Sequence, residues 1–191
     1  MVNASSWTLS EASRVLGEPQ HRLIHLCEKG TIRPEIEEAR GRGSSRRFSR
    51  RNMLEFSIAL KLRELMIPVS AVTAVLHVLR TTERAIARDL PGFVLPDSLT
   101  ERGAPELRVI ITDDRRIFFA LHAKGRAPRL LGGVDLKADS DGRSRGLRKN
   151  PPKGVLNTPE PTFTPSVHER GRVEVSVTGL ARDLSRTLKE K

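Results

Sequence analysis

The chain has 191 residues, 37% of them hydrophobic and 30% charged, which is enough for one or two domains with a hydrophobic core. Its formal net charge of +11 points to a polyanionic partner, nucleic acid before anionic membrane. A single cysteine excludes a disulfide framework and any cysteine-rich zinc or iron–sulfur site, and no apolar run reaches the roughly 18 to 20 residues that span a bilayer.

The positive charge is unevenly distributed. Residues 101–191 hold 19 basic and 12 acidic side chains, spread over a long stretch. Residues 1–60 hold only ten basic and seven acidic ones, but the acids are mostly early and the run from Ala39 to Arg51 has none. That run contains six arginines: Arg40, Arg42, Arg46, Arg47, Arg50 and Arg51. A local basic patch therefore matters more than the total charge.

The first two elements are predicted to be short helices. Thr8 to Glu11 fits a capping box and predicts a helix from about Ser10 to Leu16, ended by Gly17. Glu18-Pro19 then opens a second helix, with Pro19 in the first turn, and Gly30 closes it. Two short helices joined by a tight glycine turn are typical of a helix-turn-helix.

Further elements follow in the first half. Residues 36–47 have no helical periodicity and contain glycines among the arginines, so we interpret them as a hairpin or wing. Ser49 is a plausible N-cap for a third helix. Pro68 ends that helix's pattern and starts a fourth helix, which ends near Leu90. Cys27 falls on the apolar face of the second helix and is interpreted as a small core residue.

The second half predicts a small sheet. Leu107–Thr112 and Arg116–His122 form a β-hairpin, Pro128–Leu136 adds a third strand, and the alternating residues Arg172–Thr178 add another. A final helix starts after Gly179, with Leu180, Leu184 and Leu188 along one stripe. The fold class is thus α+β. The predicted divisions are a DNA-binding domain at 1–90, a linker at 91–106, and a small α+β domain at 107–191 with a flexible insertion at 137–168.

The first half resembles the DNA-binding domain of the MerR family of bacterial transcription regulators, over roughly residues 7–79. Gly17 and Gly30 bracket the recognition helix, Ile32 and Pro34 follow it, and Arg47-Phe48-Ser49 is similar to the family's Arg-Tyr-Ser wing ending. The segment from Leu60 to Val75, with Leu-Arg-Glu-Leu-Met-Ile-Pro-Val-Ser, resembles the family's turn between the last two helices.

The chain also departs from the family pattern. The family's phosphate-contacting arginine and an aromatic are replaced by Ile24 and His25 in the recognition helix, and Arg22 and His25 are candidate substitutes. The cysteines of the metal sensors and the cobalamin-binding motif are absent. The resemblance therefore implies DNA binding without a familiar effector.

The resemblance implies a winged helix-turn-helix regulator that binds a palindromic site on double-stranded DNA as a homodimer, in the cytoplasm and associated with the nucleoid. The sequence leaves open whether residues 107–191 form a dimerisation surface, an effector pocket or a docking site for RNA polymerase or another protein, and neither a cofactor nor a membrane is expected. The second helix would face bases, and the arginines would grip phosphates. The candidate DNA-binding residues are Gln20, His21, Arg22, His25, Arg40, Arg42, Arg46, Arg47 and Arg50.

Other functions compete with this one. An architectural or excisionase-like accessory protein uses the same winged domain without a ligand, and a protein-interaction module could recruit a partner to nucleic acid through residues 107–191. His21 and His25 have the spacing of a metal pair, but no third ligand is nearby, so no metal site is predicted. Nothing in the sequence supplies a nucleophile, a base and oxyanion donors together, so the protein is not expected to be an enzyme.

Overall fold

Helices come first along the chain, and an antiparallel sheet and a last helix follow, so the fold is mixed α+β as predicted. The computed structural model describes residues 6–36, 46–112, 116–125, 129–135 and 171–190, with 129–135 described through their backbone. The helices of this part are α1 (Leu9–Leu16), α2 (Gln20–Glu28), α3 (Arg50–Glu64), α4 (Val69–Asp89) and α5 (Val177–Lys189). The strands are β1 (Glu106–Thr112), β2 (Arg116–His122), β3 (Arg129–Asp135) and β4 (Arg172–Ser176).

The residues form two compact units. The first combines the chain up to Thr73 with the residues from Leu180 onward, and the second runs from Ala74 to Gly179. Both α4 and α5 contribute residues to both units. The predicted domain boundaries at residues 90 and 107 stay predictions. Arg40, Arg42 and the predicted flexible insertion 137–168 lie outside the described residues.

Capping explains where α1 begins and ends. The hydroxyl of Thr8 accepts from the Glu11 N–H over 3.3 Å, and the Glu11 carboxylate accepts from the Thr8 N–H over 2.7 Å, which confirms the capping box. The Thr8 N–H, and then its hydroxyl, hold the pKa of Glu11 below its ordinary value. Gly17 has φ 69°, the left-handed conformation that ends a helix.

The start of α2 corrects one prediction. Pro19 is the N-cap, with φ −59° and ψ 134°, rather than a residue of the first turn, and α2 begins at Gln20. Its extended ψ keeps Pro19 outside the helix, although its fixed φ would suit the first turn. Gly30 follows the helix with φ 66°, as the predicted termination requires.

The core of the first unit surrounds α3. Ser49 is the N-cap of α3, as predicted, and Asn52 completes a second capping box. The ring of Phe48 meets that of Phe56 edge-on, with centroids 5.2 Å apart and planes at 64°. Phe48, Met53, Leu54, Phe56 and Ile58 have no exposed surface. α3 is therefore buried on several sides within this unit.

Met66 marks the turn between α3 and α4. It is 86% exposed and has φ 62°, a conformation that favours glycine. α4 starts directly after Pro68 and ends at Asp89, close to the predicted Leu90. Thr31, which follows α2, shares a 2.8 Å hydrogen bond with Thr73 of α4 inside the first unit.

In the second unit, the residues after α4 pack against apolar neighbours. Phe93, Leu95 and Leu99 are buried, the last in a short 3₁₀ helix at Asp97–Leu99. The backbone N–H of Leu95 donates to the Glu83 carboxylate over 2.8 Å. The predicted linker 91–106 therefore contains core residues of this unit.

The described strands form one antiparallel sheet in the order β3-β2-β1-β4. The predicted hairpin is confirmed, since β1 pairs with β2 in a register that sets Val109 opposite Phe119. β3 confirms the third strand and has a register irregularity opposite Phe118/Phe119. Leu107, Val109 and Ile111 are buried on one face, while Arg108 on the other face donates to Glu174 over 2.8 Å.

The predicted boundary between the last strand and the last helix was wrong. β4 ends at Ser176 and α5 begins at Val177, so Gly179 lies in the first turn. The Ser176 hydroxyl accepts from the Gly179 N–H over 2.8 Å, and the Thr178 hydroxyl accepts from the Leu107 N–H over 2.8 Å. Because Ser176 and Thr178 accept these backbone hydrogen bonds, the helix begins at Val177, although the alternation of valines continues to that residue.

No helix in the described residues has the length and apolar character needed to cross a membrane.

Candidate nucleic-acid interface

The exposed face of α2 carries the four predicted base-reading residues. Leu23 and Leu26, three positions apart, are buried on the opposite face. Helical periodicity therefore directs the remaining side chains to solvent. The exposed residues at these positions are Gln20, His21, Arg22 and His25.

Arg22 is paired rather than free on this face. Its Nη1 lies 2.6 Å from Oε2 of Glu18, one turn earlier in the chain. The first turn of α2 itself contains no acidic residue. The exposed face of α2 thus presents the amide of Gln20 and the imidazoles of His21 and His25. Its one guanidinium, that of Arg22, forms an ion pair with Glu18.

Arg46 links the predicted wing to α2. Its guanidinium lies close enough to the Cys27 thiol, on the half-buried side of α2, to favour the thiolate. Burial raises the pKa of the Cys27 thiol to about 11, while Arg46 acts in the opposite direction by favouring the thiolate. Cys27 is thus only half-buried, and it lies near a predicted phosphate-binding arginine.

The described end of the wing is tied to the chain on both sides. Trp7 and Phe48 form an antiparallel bridge, with N···O distances of 3.0 Å and 2.8 Å. The Ile36 N–H donates to the Arg47 carbonyl over 3.4 Å, which brings the two ends of the predicted wing together. The Arg47 side chain reaches Ser6 at 3.5 Å. Arg46 and Arg47 therefore extend from a segment that is paired at its base.

Arg50 has a different position. It is half-buried in the first turn of α3, and its Nη2 donates to the Ser185 hydroxyl of α5 over 3.1 Å. This contact lies within the first unit, to which Ser185 belongs. The structure thus brings Arg46 to α2 and directs Arg50 toward α5.

Sequence reasoning missed several residues around this face. Lys29 follows α2 directly and Arg33 lies four residues later, and both are exposed. They lie before the basic run that begins at Ala39 and have acidic neighbours in the sequence, so the charge pattern alone does not indicate them. The buried residue Asn52 was also missed; its position three residues after an N-cap serine was the available signal.

In the described part of the chain, no three histidine, cysteine or carboxylate side chains are grouped so that they could hold a metal ion.

The chain matches no protein-family model, and a search of curated proteins finds no significant match.

Proposed function

We propose that the protein is a DNA-binding transcription regulator of MerR type that binds a palindromic site as a homodimer. The observation that carries the proposal is that Arg46 and Arg47 extend from a segment whose base is closed by the hydrogen bond between Ile36 and Arg47, in the same compact unit as α2, whose polar face is exposed. A recognition helix flanked by arginines is the arrangement that reads bases and grips phosphates at once.

The residues divide by role. Gln20 would pair with adenine and Arg22 with guanine, each contributing about 1 to 3 kcal/mol of discrimination between bases. Arg46 and Arg47 would contact phosphates without regard to sequence, and Arg40 and Arg42 would do the same. Dimer symmetry would place two α2 helices one or more helical turns apart on the duplex.

Selection from a random pool of duplexes tests the proposal directly. We expect a two-fold symmetric consensus, bound by two copies of the chain. A pool that yields no enriched sequence despite tight binding would instead favour an architectural accessory protein, and a chain that binds no duplex would contradict DNA binding altogether.

A charge-matched pair of variants tests the role of the wing. Replacing Arg46 and Arg47 by alanine should weaken binding to all sequences and reduce the salt-dependence slope by about 4, because the homodimer would lose four phosphate contacts and each contributes about 0.9. Arg84→Ala with Arg88→Ala removes the same charge from two exposed positions of α4 and should leave the slope nearly unchanged. Equal slopes for the two double variants would contradict the assignment of the wing.

A further inference from the structure

One buried amide connects both ends of the predicted wing. Asn52 has no exposed surface. Its Nδ2 donates to the carbonyl of Arg33 over 3.0 Å, and its Oδ1 accepts from the N–H of Glu35 over 2.9 Å, so it holds the residues that precede the wing. The same Oδ1 accepts from the N–H of Ser49 over 3.2 Å, two residues after the end of the wing.

Charged neighbours complete this arrangement. Asn52 Nδ2 also donates to Oε2 of the buried Glu55 over 3.1 Å. Arg51 lies between two carboxylates, with its Nε 3.5 Å from Glu35 and 3.8 Å from Glu55. The Ser49 hydroxyl donates to Glu35. The entry and exit of the wing are thus joined by side chains as well as by the amide.

Helix capping alone does not explain these contacts. A capping box at α3 requires only that residue 52 accept from the Ser49 N–H. Asp, Glu or Gln would provide that acceptor, whereas the Asn52 side chain makes three additional bonds, two of them to the backbone of residues 33–35. Burying an amide is favourable only when its donors and acceptors are satisfied, and here each of them is used.

We infer that Asn52 is a positioning residue for DNA binding, one that holds residues 33–35 against residue 49 so that Arg46 and Arg47 meet phosphates without further ordering. The inference rests on the proposed function, because the ligand it serves is the phosphate backbone of duplex DNA. Arg46 and Arg47 are three and two residues from Ser49, so the anchor at Ser49 determines where their backbone lies. Rigid placement of a binding group lowers the entropic cost of association.

Two variants separate positioning from capping. Asn52→Ala removes all of the side-chain bonds. Asn52→Asp combined with Glu55→Gln keeps the acceptor for Ser49 and Glu35, keeps the net charge, and lets the new glutamine donate to the new carboxylate. Compared with Glu55→Gln alone, which also removes the ion pair with Arg51, this double variant loses only the bond to the Arg33 carbonyl. Glu55→Gln alone retains that bond and is the matched control.

Salt-dependent DNA binding is the measurement, with thermal unfolding and circular dichroism as tests of folding. We expect Asn52→Ala to lower affinity at least about tenfold and to reduce the salt slope toward that of the Arg46/Arg47 double variant, about 4 below wild type for the homodimer. The Asn52→Asp/Glu55→Gln chain should shift the slope in the same direction, and Glu55→Gln should not. Adding Arg46→Ala and Arg47→Ala to Asn52→Ala should reduce the slope little further, because the two changes remove the same contacts.

Each outcome supports or overturns the positioning role of Asn52. A folded variant with the wild-type slope would overturn the positioning role while leaving DNA binding intact. Loss of folding in both Asn52 variants would assign the residue to stability alone and would also overturn it. If the wild-type chain binds no duplex, the proposed function fails, and this inference fails with it.

Discussion

Arg22 donates a hydrogen bond from its Nη1 to Oε2 of Glu18 over 2.6 Å, from the exposed face of α2 back to the turn that precedes it. The Arg22 side chain is 41% exposed, so the ion pair adds little to stability, about 0.3 to 0.5 kcal/mol at most. The ion pair instead determines where the Arg22 side chain points, because it holds the guanidinium along the start of α2 and not toward a partner. DNA would have to compete with Glu18 for this arginine.

Glu18→Gln should therefore strengthen DNA binding. We expect affinity for the selected consensus to rise several-fold, because Arg22 becomes available and an acid leaves the interface. The gain should disappear in the double variant with Arg22→Ala. Glu64→Gln, which breaks an exposed ion pair with Lys61 at 2.9 Å, is the control for charge alone. Equal gains for Glu18→Gln and Glu64→Gln in titrations at fixed salt would show that Glu18 does not restrain Arg22.

The left-handed residue between α3 and α4 predicts a stabilising substitution. Met66 has φ 62° and is 86% exposed, so its side chain contributes strain and little packing. Met66→Gly should raise the free energy of unfolding in urea by about 0.5 to 1 kcal/mol, since glycine adopts this conformation without a steric cost. Leu65→Gly, at φ −83°, should instead lower it. A loss of stability in Met66→Gly would mean that position 66 is not strained.

The half-buried thiol of Cys27 should react slowly. Burial raises its pKa from 9.0 to about 11, so at about pH 8 the thiolate fraction falls about 100-fold. We expect alkylation to be slower by about that factor in the folded chain than in urea. Arg46→Ala should slow it further, because the guanidinium favours the thiolate. Equal rates for the folded and urea-unfolded chains would contradict the burial of this side chain.

The same shift makes stability depend on pH. The unfolded chain ionises Cys27 near its ordinary pKa of 9.0, whereas the folded chain keeps it protonated up to about 11. The protonated Cys27 thiol thus contributes fully to the free energy of unfolding below about pH 9, and this contribution is lost as the pH rises from about 9 to about 11. Cys27→Ala should lose less stability than wild type over that interval in urea titrations, and parallel curves would contradict the shift.

Arg50 should contribute to folding as well as to binding. Its hydrogen bond to Ser185 is 3.1 Å long, and Ser185 is 9% exposed. We expect Arg50→Ala and Ser185→Ala each to lower the free energy of unfolding by about 1 kcal/mol. The double variant should lose less than the two single losses combined, because both remove one interaction. Fully additive losses, measured without DNA, would argue against the contact, and Arg46→Ala provides a comparison expected near wild type.

Local signals made much of the fold predictable. The capping box at Thr8, the N-cap at Ser49 and the break at Pro68 each act within a few residues, so the sequence alone reveals them. The end of β4 was not predictable in this way. Val177 continues the alternation of valines, and the turn into α5 depends on Thr178 accepting from Leu107, 71 positions away.

The candidate site likewise combines features that the sequence predicts with features that depend on tertiary structure. The exposed face of α2 follows from helical periodicity, and the pair Glu18–Arg22 has the spacing of four residues that helices favour, so the sequence contained that signal. The proximity of Arg46 to Cys27 has no sequence signature, because the two residues belong to separate segments. The bonds of Asn52 are intermediate: its capping position was visible, whereas its reach to Arg33 and Glu35 depends on tertiary structure.

The composition of the first unit has a consequence for biosynthesis. The unit joins the helices before Thr73 to residues from Leu180 onward. During translation, α1 to α3 leave the ribosome more than a hundred residues before α5, whose Ser185 bonds Arg50. Domains fold as units during synthesis, so a nascent chain would complete this unit only after the intervening sheet has emerged. Under the proposed function, the chain would become able to bind DNA only after α5 has been synthesised, and not when its first half is complete.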